Sequence, residues 1–274
     1  MTHSSIGIIG AGNMGLALAS GLAAAGVPRE RLAISDPNSD KRQSAETIGI
    51  RSEPDNDTLI QGANLLVLAV KPQHLHGLCC AIAPAVARHR PLVVSVVAGA
   101  RVADINRWLG GEQAIVRAMP NTPALIKAGA SVLFANEHVT KEGQQAAEHV
   151  LKAVSEVFWV ADEALMDAAT AVSGSGPAYL FLFLEALTKA GIAAGLPQAL
   201  CTALAMDTTL GAARMAKASP DEVALLRARV TSPGGTTEQA IKSLINDGFM
   251  EMFTHAILAA TARSQQLGEQ LGTL

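Results

Sequence analysis

The stretch Ile8-Ile9-Gly10-Ala11-Gly12-Asn13-Met14-Gly15 offers main-chain amides, rather than reactive side chains, as its chemistry. Glycines spaced G-x-G-x-x-G suit a phosphate. The first permits a tight turn, the second lets an anion approach the backbone, and the third lets the following helix pack closely. The first amides of that helix then point at the anion. A second turn, Thr231-Ser232-Pro233-Gly234-Gly235-Thr236-Thr237, stands late in the chain, directly before an amphipathic run. Gly234 and Gly235 permit positive φ there, Thr236 reads as the N-cap, and the amides that follow converge as a nest for an anion. The helix end alone is worth roughly 0.3–2 kcal/mol toward such a charge. Ser232, Thr236 and Thr237 add hydroxyl donors, and no lysine or arginine lies within the turn, which suits a small carboxylate better than a polyphosphate. An ordinary well-capped helix accounts for the same residues.

Asp36 ends the second apolar run, about 20 residues beyond the glycines, where an acid commonly bonds the adenosine ribose and repels the 2′-phosphate of NADP. Capping of the next helix is the alternative role, and Lys41 and Arg42 lie near enough to supply positive charge. Ala69, Val70, Lys71 and Pro72 close another apolar run at the sheet edge where open α/β sheets bind ligands, and a main-chain role fits them best. Met119-Pro120-Asn121-Thr122-Pro123 follows a further run as a rigid loop. His74, His76, Cys79 and Cys80 suit a helix flank and receive no role. No metal-ligand spacing and no poised acid/base pair stands out.

The elements that must position these groups follow from the apolar pattern. Ile6–Ile9, Leu32–Ser35, Leu65–Val70, Leu92–Val97 and Ile115–Met119 mostly lack strict alternation, as strands covered on both faces do. Helices between them, Met14–Ala25 and Lys41–Ile48, each close on a glycine. This βαβ rhythm predicts an N-terminal doubly wound Rossmann sheet over residues 1–161. From 162 to 274 the pattern is helical throughout, giving an α/β then all-α chain. Helices are expected over 163–172, 177–194, 198–217, 221–230, 237–246 and 248–271. Ser219-Pro220-Asp221-Glu222 and Thr236-Thr237-Glu238-Gln239 read as capping boxes.

A net charge of -3 with no basic block argues against nucleic-acid or anionic-membrane partners. The apolar run Ala178–Leu184 is too short to span a bilayer, and MTHSS carries no leader pattern. Three cysteines without ligand spacing fit reduced thiols, so a cytoplasmic protein is expected.

Five blocks in order give the chain a family resemblance: the glycine loop Gly10–Gly15, Ala69-Val70-Lys71-Pro72-Gln73, Met119–Pro123, Ser173-Gly174-Ser175-Gly176-Pro177-Ala178-Tyr179 and Thr231–Thr237. Together they resemble pyrroline-5-carboxylate reductase over essentially the whole length. The resemblance implies NAD(P)H-dependent reduction of 1-pyrroline-5-carboxylate to L-proline, the last step of proline biosynthesis. It also implies a C-terminal helical dimerisation domain, a homodimer or a larger assembly of dimers, and NADP(H) as cofactor, with NAD(H) left open by Asp36. Carried over by position, Ile9, Gly10, Ala11, Gly12, Asn13, Met14, Asn56, Ala69, Val70, Lys71, Pro72, Val96, Val97 and Ala98 would contact the cofactor, alongside Gly15 and Asp36 of the fingerprint. Ser232, Gly234, Gly235, Thr236 and Thr237 would hold the substrate carboxylate, with Thr237 also bonding the ring nitrogen as the catalytic residue. A reductase of another cyclic imino acid and a non-catalytic NAD(P) sensor are the alternatives. A 3-hydroxyacid dehydrogenase would need a lysine where this chain has Leu180.

Overall fold

The computed structural model describes residues 5–274, so the first residues of MTHSS lie outside the description. The strands are β1 (Ile6–Ile9), β2 (Leu32–Ser35), β3 (Arg51–Glu53), β4 (Leu65–Leu68), β5 (Leu92–Ser95), β6 (Ile115–Met119), β7 (Gly129–Ala135) and β8 (Ser155–Trp159). The α-helices are α1 (Asn13–Ala24), α2 (Ser39–Thr47), α3 (Asn56–Gln61), α4 (Pro72–His89), α5 (Val102–Trp108), α6 (Lys141–Lys152), α7 (Leu165–Ala169), α8 (Gly176–Ala193), α9 (Gln198–Ala218), α10 (Val223–Arg229), α11 (Thr236–Asn246) and α12 (Phe249–Gly272).

The strands form one sheet in the order β3-β2-β1-β4-β5-β6-β7-β8, parallel except where β7 runs antiparallel to β6. Successive residues of β4 show why the apolar runs do not alternate. Leu65 and Val67 pack with Leu18 and Leu22 on one face, while Leu66 and Leu68 pack with Leu75 and Ile82 on the other. Both faces are covered, so both registers must be apolar. The chain reverses between β6 and β7 through the 3-10 turn Thr122–Ile126 and Lys127, whose φ of 58° is left-handed. Asn121 pins that reversal: its Oδ1 accepts the Ala130 N–H at 2.9 Å, and its Nδ2 donates to the Ser173 carbonyl at 3.2 Å. The rigid loop Met119–Pro123 is thus also a structural clamp.

By packing, the chain divides into one unit up to Ser175 that also includes Ala259–Leu274, and a second unit of Gly176–Leu258. The division expected after Ala161 follows the loss of strand pattern; packing carries the first unit through a π-helical turn at Thr170–Gly174. The end of α12 docks on the first unit because Gly268 permits close approach: a Cβ there would lie 3.1 Å from the Gly99 carbonyl oxygen. Ser264 Oγ donates to Asp167 Oδ1 at 2.6 Å, and Arg107 Nη2 donates to the Gly272 carbonyl at 2.8 Å. Asp167 and Glu163 flank the buried Arg117 guanidinium, which reaches Glu163 Oε1 at 2.9 Å.

The second unit is helical and leaves much apolar surface uncovered in the single chain, including Phe181, Leu182, Met206, Met215 and Met252. Tyr179 meets Phe253 edge-on with ring centres 6.3 Å apart.

Both expected capping boxes need correction. Ser219 and Asp221 bond each other in a turn, with the Asp221 N–H donating to Ser219 Oγ at 3.1 Å, and α10 begins only at Val223. At the second, Gly235 is the N-cap and Thr236 the first helical residue. Glycine holds the extended cap conformation, φ −82° and ψ 169°, and as the cap residue it supplies no side-chain bond of its own.

Candidate functional site

The three loop glycines earn their places for different physical reasons. Gly10 adopts φ 109°, and a Cβ there would strike the Ala69 carbonyl oxygen at 2.5 Å. A Cβ on Gly15 would come within 1.9 Å of the Gly10 carbonyl oxygen, so only glycine lets α1 seat against the loop. Gly12, the N-cap of α1, has nothing within 4 Å of such a Cβ, so its freedom is spent on open space rather than on packing. The first turn of α1 carries no acidic residue. An anion reaching Gly12 therefore meets backbone donors and no acidic side chain from that turn, which fits a dinucleotide pyrophosphate.

That open space belongs to a cavity of about 560 Å³ at the carboxyl ends of β1, β2 and β4. Ile9, Gly10, Gly12, Asp36, Asn56, Ala69, Val70 and Lys71 line it, as the sequence places them. Ala11, Asn13, Met14, Gly15, Pro72, Val96, Val97 and Ala98 are not among its walls. Ala11 and Gly15 are buried behind the loop, and Val97 packs into the core beneath β5. Pro72 instead starts α4, with Lys71 as its N-cap. The cavity gains Pro37, Asn38, Lys41, Pro54, His74 and Leu78. His74 and Leu78 stand one helical turn apart on α4, a spacing that the sequence displays once the helix start at Pro72 is known.

The side chains at the end of β2 are tightly tied. Asp36, 6% exposed, accepts the Ala11 N–H on Oδ2 and the Asn38 N–H on Oδ1, each at 3.0 Å. It does not cap α2; Asn38 does, accepting from the amides of Asp40 and Lys41. Ser35 Oγ donates to Asn56 Oδ1 at 2.7 Å, which assigns the Asn56 amide nitrogen as the end left for other acceptors. Along α4, Cys79 is buried, and burial pushes its thiol up to about 12, whereas Cys80 is exposed.

In the second unit, the Thr231–Thr237 turn is only in part the nest anticipated. Gly234 has φ 72°, but Gly235 does not need a positive φ. The Gly234 N–H donates to Glu238 Oε2 at 2.8 Å, and the Gly235 N–H to the Ser232 carbonyl at 3.0 Å. Those two amides are engaged within the turn. The amides of Thr236 and Thr237, first in α11, have no carbonyl partner inside their own helix. With the exposed Ser232, Thr236 and Thr237 side chains they form a compact set of donors for a carboxylate.

Residues 163–267 match the family model for pyrroline-5-carboxylate reductase dimerisation, and residues 5–99 match that for NADP oxidoreductase, coenzyme F420-dependent. The chain is 46% identical to pyrroline-5-carboxylate reductase of Pseudomonas aeruginosa over 273 residues, covering 99% of this chain and 100% of that protein. It is similar to the solved structure of a pyrroline-5-carboxylate reductase from Coxiella burnetii, with a TM-score of 0.93, 42% identity, and coverage of 96% of this chain and 98% of that one. A pyrroline carboxylate reductase from Plasmodium falciparum, solved with NADP bound, gives a TM-score of 0.86 at 31% identity, covering 98% of this chain and 99% of that chain.

Proposed function

Because the chain belongs to the pyrroline-5-carboxylate reductase family, we propose that its glycine-loop cavity holds the coenzyme and its Thr231–Thr237 turn the substrate carboxylate. The protein is an NAD(P)H-dependent oxidoreductase that reduces 1-pyrroline-5-carboxylate to L-proline, the last step of proline biosynthesis. It is a homo-oligomer built on the helical dimerisation domain. One observation carries the functional conclusion: the likeness to a reductase runs through both the glycine loop and the late turn, at full length.

A reduced nicotinamide coenzyme, its pyrophosphate held by the Gly10–Gly15 loop, would supply the hydride for the imine carbon. The protein's own work is to bind and orient. A cyclic imine accepts hydride readily once its nitrogen is protonated or hydrogen-bonded, so no strongly perturbed acid or base is required. The Thr236 and Thr237 amides and the Ser232 hydroxyl hold the carboxylate, and the Thr237 hydroxyl bonds the ring nitrogen. Support for this assignment comes from the amides that α11 leaves without helical partners. Ala11 and Gly15 shape the loop from behind, while Gly12, Asp36 and Asn56 line the cavity that would hold the coenzyme. We place the protein in the cytoplasm, on the ground that all three cysteines are free thiols. Among the described residues no helix is long and apolar enough to cross a membrane.

NADPH absorbance, followed with and without 1-pyrroline-5-carboxylate, tests the function. Oxidation that depends on the imine and yields proline is expected. Coenzyme binding without turnover would leave only a nucleotide sensor.

A further inference from the structure

A second cavity, of about 290 Å³, lies at the opposite end of β1 from the glycine loop. Ile6 and Leu65, the register-paired first residues of β1 and β4, are among its walls. Val27 and Pro28, in the turn after α1, wall it too, as do Ala146 and Val150, one turn apart on α6. Gly26 adds no bulk to that turn: it adopts φ 93°, and a Cβ there would meet nothing within 4 Å.

Two side chains that can carry positive charge, Arg31 and His149, line the cavity, and no acid does. Glu148, the acid beside His149 on α6, is engaged by Lys152 Nζ at 2.6 Å and by the Trp159 indole N–H at 3.0 Å. The turn offers no main-chain donor. The N–H groups of Ala25, Gly26 and Val27 donate to the carbonyls of Gly21, Ala23 and Leu22, and Pro28 has no N–H. Recognition of an anion in this space therefore falls to the Arg31 guanidinium and the His149 ring.

We propose that this cavity binds a small aliphatic monocarboxylate that carries no amino group. Its volume stands at the low end of small-molecule sites, about 300–1,000 Å³, so the ligand is smaller than a drug-sized molecule. The apolar walls suit a short hydrocarbon tail, and the planar fork of an arginine matches a carboxylate. An amino acid, L-proline included, would bring its ammonium into a space that holds two basic side chains and no acid, a desolvation with nothing to offset it. Every wall belongs to the first packing unit, and the site is separate from the glycine-loop cavity and the Thr231–Thr237 turn.

The test is a titration of the full-length protein, with isotope-labelled Ile, Leu and Val methyl groups followed by NMR. The probes are hexanoate, butanoate, hexanol, hexylamine and norleucine. Hexanoate should bind saturably and move the methyl signals of Ile6, Val27, Leu65 and Val150. Butanoate, with a shorter tail, should bind about tenfold more weakly. Hexanol, hexylamine and norleucine should each bind roughly tenfold or more below hexanoate. Arg31→Gln should weaken hexanoate by roughly tenfold or more and leave hexanol unchanged. Ala146→Leu, which fills the cavity from α6, should abolish hexanoate binding while circular dichroism and NADP+ affinity stay those of the parent. Shifts confined to other methyl groups, norleucine or hexylamine matching hexanoate, butanoate matching it, or undiminished binding in either variant would each overturn the proposal. No turnover is read, so the result stands apart from the reductase assignment.

Discussion

Glu238 accepts the Gly234 main-chain N–H at 2.8 Å, so the first turn of α11 reaches back and closes the loop in front of it. Lys242, one turn further on, steadies the same carboxylate through Oε1 at 3.2 Å. The bond holds Gly234 in its left-handed conformation and leaves Thr236 and Thr237 as the amides open to an anion. Glu238→Ala should cost about 1 kcal/mol of stability and raise KM for 1-pyrroline-5-carboxylate several-fold, because the turn loses its tie. Glu238→Gln, which keeps an acceptor and removes the charge, should stay near the parent protein. Thermal melts with steady-state kinetics on both variants check this, and equal damage in both would assign the effect to charge.

Gly12 and Gly15 should fail in opposite ways. Gly15→Ala forces a Cβ to within 1.9 Å of a carbonyl oxygen, so it should destabilise the fold by about 1–3 kcal/mol or more. Gly12→Ala meets no protein atom within 4 Å, so its melting temperature should stay close to that of the parent. Its methyl would instead enter the space claimed for the pyrophosphate, weakening NADP+ by about tenfold or more. Melting curves and coenzyme titrations on the pair separate folding from binding.

Thr237→Ala removes one hydroxyl while keeping the amide. If that hydroxyl orients the imine nitrogen, kcat should fall by roughly tenfold or more, as expected for a hydrogen bond made chiefly in the transition state. Coenzyme dissociation constants should hardly move. Stopped-flow hydride transfer measures the step directly, and unchanged turnover would exclude Thr237 from the chemistry.

Thiol reactivity tests the burial of α4. The thiolate is the reactive form, and Cys79, pushed up to about 12 by burial, is almost wholly a neutral thiol at neutral or mildly alkaline pH. Cys201 is also buried. An aromatic disulfide reagent at pH 8 should therefore find Cys80 rapidly and the other two only after unfolding. Fast reaction of all three in the native protein would contradict the packing of Cys79 behind β4.

What could be read without coordinates was mainly what the local backbone demands. β1, β2 and β6 fall where their apolar runs stand, and the first glycine loop turns as its spacing requires. Those features depend on steric limits within a few residues and on burial of both sheet faces. β7 and β8 escaped notice because Gly129-Ala130-Ser131 carries little β propensity, and β8 is half exposed. Their pairing depends on the Asn121 clamp and the left-handed Lys127, neither of which announces an antiparallel return. Likewise, Ser219 spends its hydroxyl on Asp221 instead of a helix end, since the turn offers a nearer partner.

From the sequence alone came the βαβ rhythm of the first half, the helical run of the second, the two glycine turns, the family and the reaction. Tertiary structure alone decided who bonds whom. It shows that Asp36 is committed to Ala11 and that Glu238 already occupies one of the amides counted for substrate. It also brings the tail of α12 back against the first unit. The reason is physical: a backbone conformation is set by neighbours along the chain, but a polar side chain bonds whichever donor folding brings within 3 Å, and that donor can come from anywhere.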